Sequence, residues 1–236
     1  MARRNFSRSD YRGAITDYQN NWELLDDVLR KLCEDHPNHG ERAAINAKVQ
    51  IIGLSYGTGI QRLIAPRGKG PGQALYQVAE HLFNYRDDVD RLVAAICAIS
   101  EPLTFQDLLC IVETHGCFVK LLRQITRPRP NAKTETSSAA RSFASKYLHF
   151  HKPIVPIYDS VAAEVLPRLM PLSRAKQHLE VPLLEHADPL YYDYALRFFA
   201  LYSEIRSACL PVSVKYVDAY LLWLASLEPQ GDELQL

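Results

Sequence analysis

Three residues able to donate a proton, accept one or attack a carbon, Ser142, Lys146 and His149, stand at i, i+4 and i+7 in a run of mostly small and apolar residues. That spacing places them on one face of a helix. After the Pro-bounded stretch Pro153-Ile154-Val155-Pro156 comes Asp159, at the start of what reads as the next helix. A lysine amine kept from water is a nucleophile. A carboxylate held beside a carbon that turns cationic stabilises that charge. Each residue also has a plainer use, Asp159 as a helix cap and Lys146 as a lysine laid along the surface.

Other polar groups narrow the chemistry. His149-x-His151 has no third ligand at metal spacing, and Cys110, His115 and Cys117 follow no zinc pattern, so neither a metal nor a cofactor is expected. The chain has 27 basic and 27 acidic side chains, which excludes a uniformly basic coat for nucleic acid and an acidic solvating tail. The charge is uneven, however. Between Lys120 and Lys152 lie Arg123, Arg127, Arg129, Lys133, Arg141 and Lys146, with Glu135 as the single acid. Such a window fits a phosphate-backbone site, or equally a solvated face whose acids come from neighbouring helices.

The positioning elements read as helices throughout. The 236 residues are 47% hydrophobic and 23% charged, which suits one globular unit and argues against disorder. Trp22, Leu25, Val28, Leu29 and Leu32 recur at helical steps in a helix ending near His36-Pro37. A run from about Glu41 to Leu63 is interrupted by Gly53 and by Gly57-Thr58-Gly59, which reads as two helices with a tight joint. Further helices are expected over about 74–85, 88–99, 105–125 (capped by Thr104), 137–150, from Asp159 onward, 190–210 and 211–227. Alternation at period two is missing, so the expected class is all-α. No apolar run nears the ~18 residues of a membrane span, and the Arg-containing N-terminus lacks the apolar stretch of a secretory signal. Five cysteines, mostly in apolar helical runs, suit a reducing, cytoplasmic setting.

The segment Ala140-Arg141-Ser142-Phe143-Ala144-Ser145-Lys146-Tyr147-Leu148-His149-Phe150, with Val155-Pro156-Ile157-Tyr158-Asp159, resembles the helix–loop–Asp core of the helix-hairpin-helix DNA glycosylase superfamily, most closely the prokaryotic 8-oxoguanine glycosylase-like proteins. Weaker echoes are Leu54 to Arg62 and the last helix, Lys215 to Leu224. The superfamily's Leu-Pro-Gly-x-Gly hairpin has no counterpart, since 131–139 holds no glycine. The lyase lysine of bifunctional members aligns best with Ser142, and Lys146 lies one turn on.

The resemblance implies a two-lobed helical fold with a cleft between lobes, roughly 38–135 and 136–236, the N-terminal helix packing on the latter. It implies Asp159 and Lys146 as catalytic residues, with Ser142, His149, Tyr158, Tyr220 and Trp223 about the base. Tyr56 is the expected wedge into the stack, with Gln61, Arg62, Arg127, Arg129, Lys133 and Arg141 on DNA. The expected activity is extrusion of a damaged or modified base and cleavage of its N-glycosidic bond, with or without a lyase step. The base is 8-oxoguanine or another modified base, a modified viral base included. The expected partner is duplex DNA, with no membrane and no obligate protein partner. The alternative is a non-catalytic all-α module binding nucleic acid or a partner. An α-helical ribonuclease is discounted, because Arg141 and His149 stand too far apart for its Arg–His spacing.

Overall fold

In the computed structural model, residues 6–64, 70–125, 138–177 and 179–227 are described, and they are all-α, with no strand among them. Twelve helices follow in order: α1 (Arg8–Asn21), α2 (Glu23–Asp35), α3 (Arg42–Ser55), α4 (Gln61–Ile64), α5 (Pro71–Asn84), α6 (Arg86–Cys97), α7 (Phe105–Arg123), α8 (Ser138–His151), α9 (Ser160–Leu169), α10 (Leu172–Ala175), α11 (Pro189–Ser207) and α12 (Val214–Ser226).

Local chemistry sets many of the boundaries. Thr104 and Asp107 form a reciprocal capping box at the head of α7. Side chains of Ser7, Asp159, Asp188 and Ser213 cap α1, α9, α11 and α12 by accepting from backbone N–H groups. The joint between α3 and α4 takes left-handed backbone at Gly57 (φ 59°) and Gly59 (φ 70°), which explains both glycines. Gly116 answers a different need. A Cβ there would stand 1.7 Å from the His186 carbonyl oxygen, so α7 tolerates no side chain where the segment leading to α11 crosses it.

Two short or polar helices, α1 and α10, depart from the sequence expectation. The periodic apolar signal begins only at Trp22, yet α1 buries Tyr11, Ala14 and Tyr18. The face of α2 also differs. Asp26, Leu29 and Cys33 point inward, while Trp22 and Val28 are half exposed.

α8 packs on α2, α3, α6 and α7, α12 packs on α1 and α9, and α11 bridges α7 to α9, α10 and α12. One apolar core runs without a break through these groups. Within it a bidentate ion pair ties α8 to α11. Arg141 donates from Nε to Asp188 Oδ1 at 2.7 Å and from Nη2 to Asp188 Oδ2 at 3.1 Å, both residues being buried. Asp188 Oδ1 also accepts from Tyr191 N as the α11 cap, so one carboxylate serves two helices.

Leaving one member of such a pair alone strands a charge in the core. Asp188→Ala is therefore expected to cost about 3–5 kcal/mol. Replacing both partners by apolar residues, as in Arg141→Met with Asp188→Leu, should recover much of that loss, leaving the cap deficit. Chemical denaturation of the two variants against the parent chain checks this, and equal losses would contradict it.

Candidate functional site

The extended stretch before Asp159 crosses a helical core without a sheet to satisfy its peptide groups. Side chains do so instead. His149 Nδ1 lies 2.8 Å from Val155 O, Tyr191 Oη donates to Pro156 O at 2.8 Å and Tyr194 Oη to Ile157 O at 2.6 Å. Tyr158 N donates to Ser145 Oγ at 2.9 Å. Four consecutive residues are thereby pinned from α8 and α11, and the chain delivers Asp159 to the head of α9.

There Asp159 does two things. Oδ1 accepts from Val161 N at 3.0 Å as the helix cap, and Oδ2 accepts from Lys146 Nζ at 2.9 Å. Lys146 also donates to Tyr56 O at 2.9 Å, the carbonyl at the end of α3 just before the glycine joint. The lysine side chain is 5% exposed and the aspartate 25%, so the pair sits at a boundary with the aspartate outward.

That boundary is a cleft of about 590 Å³, lined by Lys146, Asp159, Tyr56 and Gly57 on one side and by residues of α1, α2 and α12 on the other. Its aromatic lining is Tyr18, Trp22, Tyr56 and Trp223. A second charge cluster lies in its wall. Lys215 Nζ is 3.0 Å from Asp26 Oδ2 and 3.3 Å from Asp218 Oδ2. Asp26 accepts in addition from Tyr18 Oη at 2.9 Å and Tyr56 Oη at 2.5 Å. Burial, reinforced by that carboxylate, raises both phenols well above the ordinary tyrosine range, so both stay protonated donors. For Lys215 burial opposes the charge, but Asp218 and Asp26 outweigh it and the net shift is upward. Lys215 is thus a held cation rather than a nucleophile. Burial raises the Asp218 carboxyl against the pull of Lys215 and Lys146.

The sequence-selected residues divide accordingly. Asp159 and Lys146 meet, and Tyr56 and Trp223 line the cleft with them. Tyr56 is not free to act as a wedge in this conformation. Its hydroxyl is held by Asp26 and its ring packs 4.9 Å from Phe150. Ser142 is buried in α8 and does not line the cleft. His149 faces a neighbouring cavity of about 320 Å³, with which the cleft shares Tyr18, Asp26 and Lys215. Tyr158 sits against Tyr194, under the Arg141 guanidinium. Tyr220 belongs to the core, edge-on to Phe6 and Tyr11, and not to the cleft lining.

Arg141 is the clearest correction. Expected on DNA, it is buried on Asp188, because an interior carboxylate claims it. The basic window is accordingly not a uniform surface, since Lys146 is also turned inward. Gln61 is half-buried and Arg62 exposed beside the glycine joint, while Arg127, Arg129 and Lys133 lie outside the described residues.

Sequence reading did not select Tyr18, Trp22, Asp26, Lys215 or Asp218. The signals present were an acid on the inward side of an amphipathic helix, Asp26, and an i,i+3 pair, Lys215 and Asp218, in the apolar last helix. No protein-family model, curated protein or solved structure matches the chain. Among the described residues no group of three or more His, Cys, Asp or Glu is placed to hold a metal ion, and no helix is long and apolar enough to cross a membrane.

Buried histidines set an acid limit, His115 and His149 beside His39, His81 and His151, which burial also lowers. A carbonyl only accepts, so His149 donates from Nδ1 to Val155 O, and His115 donates from Nε2 to Arg141 O at 3.1 Å. Burial lowers both to about 4 from an ordinary 6.5. A depressed folded value means the neutral form is favoured by folding. That stability is fully present above pH 6.5 and lost as pH falls toward 4, by at most about 3 kcal/mol for each histidine. Denaturation midpoints measured across this window should fall with acid, and His149→Gln should flatten the slope. An unchanged slope would contradict the assignment.

Proposed function

We propose that this protein is a DNA glycosylase with an associated lyase step, acting on a damaged or modified base extruded into the cleft. One observation carries the reading, the contact of 2.9 Å between Lys146 Nζ and Asp159 Oδ2 on the wall of an aromatic-lined cleft. An extruded base needs a pocket with flat apolar or aromatic faces, and Tyr18, Trp22, Tyr56 and Trp223 supply them. The resemblance of the α8-to-Asp159 segment to helix-hairpin-helix glycosylases supports the same reading, with 8-oxoguanine the base that it implies.

The chemistry then follows from the pair. As the N-glycosidic bond breaks, its electron pair leaves with the base and C1′ becomes cationic. The Asp159 carboxylate stabilises that charge. Lys146 passes a proton through Asp159 to the departing base, which leaves the carboxylate ionised beside C1′, and Nζ attacks C1′ and forms a C–N bond. The ring oxygen then leaves C1′, taking up a proton from that nitrogen, which gives a Schiff base. Loss of a C2′ proton to the Asp159 carboxylate then expels the 3′ phosphate and nicks the strand. Phosphates of the duplex are assigned to Arg62 and to Arg127, Arg129 and Lys133.

The test uses duplex and single-stranded oligonucleotides bearing a panel of lesions and modified bases, each split into alkali-treated and untreated halves, with borohydride trapping alongside. Strand cleavage without alkali and a trapped adduct are expected. Lys146→Ala should abolish the adduct, and Asp159→Asn should lower base release by about 10²-fold or more while salt-dependent DNA binding persists. Cleavage only after alkali would remove the lyase step and leave Lys146 a positioning residue. Binding with no base release from any substrate would overturn the proposal in favour of a non-catalytic nucleic-acid-binding module.

A further inference from the structure

The smaller cavity beside the cleft, about 320 Å³, takes no part in the chemistry assigned to Lys146 and Asp159, and its size is that of a small-molecule site. Four carboxylates line it, Glu23, Asp26, Asp27 and Glu101, against the two cations Arg30 and Lys215. Two of the acids are already taken. Asp26 holds Lys215 at 3.0 Å, and Asp27 holds Arg30 at 2.8 Å. Glu23 and Glu101 have no cation paired to them among the described residues, so the lining keeps two uncompensated negative charges. They come from separate elements. Glu23 shares the face of α2 that carries Asp26 and Asp27, at i, i+3 and i+4, and Glu101 belongs to the connection between α6 and α7.

A second observation asks for a ligand that donates. His149 is 3% exposed and lines the same cavity. Its Nδ1 carries the proton and gives it to Val155 O, so Nε2, on the other side of the ring, is a lone pair. No described group donates to that nitrogen. Burial and the neighbouring Lys215 keep the ring neutral, so Nε2 remains an acceptor at neutral pH. Buried acceptors in native interiors are nearly always met. A metal ion is not the fit, because no three such residues are placed to hold one among those described. An extended cation is, since it can reach acids that stand on separate elements.

We propose that this cavity binds an alkyl diamine, with one ammonium on Glu23, the other on Glu101, and an N–H of the ligand given to His149 Nε2. An ammonium has three donors and no acceptor, which matches a lining whose open groups only accept. Phe150 and Tyr216 supply apolar surface for the alkyl stem and ring faces for its charged ends. The site is independent of the glycosylase reading, although Tyr18, Asp26 and Lys215 stand in the wall it shares with the cleft.

The probes are 1,4-diaminobutane and 1,5-diaminopentane, titrated calorimetrically into the full chain at fixed ionic strength, beside 1-aminobutane and 1,4-butanediol. At least one diamine should bind saturably at a single site, the monoamine at least about tenfold more weakly, and the diol without measurable heat. Glu23→Gln and Glu101→Gln keep the shape and remove one charge each, at positions partly or fully exposed. Each should weaken the diamine at least about tenfold. His149→Asn can still donate to Val155 O but lacks Nε2, and should weaken it as well. No saturable binding of either diamine by the parent protein overturns the proposal, without relying on any variant's folding. So does equal binding of diamine, monoamine and diol. Diamine affinity unchanged in both glutamine variants places the amine elsewhere and overturns the site. Base release in the oligonucleotide assay is a separate measurement, and its failure leaves the diamine site standing.

Discussion

A cation taken out of water keeps its charge when a carboxylate meets it at hydrogen-bond distance, and the helices around the cleft are placed to supply one. Lys48, buried in α3, is met instead by the His36 carbonyl and His151, and burial lowers it. Arg141, Lys146 and Lys215 are the three cations met by carboxylates. Each is answered from another helix or its cap, by Asp188 at the head of α11, Asp159 at the head of α9 and Asp26 in α2. Two of the three belong to α8, so that helix is fixed by charge at two points five residues apart. Its apolar contacts decide that it is buried, and the ion pairs decide its rotation and its height. The orientation of Lys146 toward the cleft follows from both.

The same arrangement gives the cleft its electrostatic character. Asp17, Asp26, Asp159 and Asp218 line it with Lys146 and Lys215, two more carboxylates than ammonium groups, in a protein whose whole charge is zero. Tyr18 and Tyr56 spend their hydroxyls on Asp26, which leaves their rings rather than their polar ends for an occupant. The site is thus polar at its wall and flat on its sides, a combination suited to a heteroaromatic ring.

Much of this was legible in the chain because it is local. The helical class, the break at Gly57-Thr58-Gly59, the Thr104 cap and the Asp159 cap each follow from spacing or from one residue's backbone preference. The sequence left open which of Ser142 and Lys146, one turn apart on α8, turns toward Asp159, and the contact of Lys146 with Asp159 is a finding of the structure. What was not legible depends on partners distant in sequence. Arg141 and Arg62 look alike in composition, but one finds Asp188 in the core and the other stays exposed. Asp26 interrupts an apolar stripe, and only the tertiary arrival of two tyrosines and Lys215 explains why it is tolerated inside. Tyr220 and Trp223 lie three residues apart on α12, and their separate fates, core and cleft, are set by what α1 places against them.

The way the segment before Asp159 is held has a consequence for tracing kinship. Its anchors are Ser145 and His149 on α8, and Tyr191 and Tyr194 on α11, and every one of them grips a peptide group rather than a side chain. The spelling of the segment is therefore released from the duty of placing Asp159, and it can drift between lineages so long as it stays extended and apolar. The durable signature of this architecture is a composite one, Ser-x₃-His on one helix and Tyr-x₂-Tyr on another some forty residues later. A search that asks for the two helical spacings together tests for this arrangement more directly than one by contiguous motif.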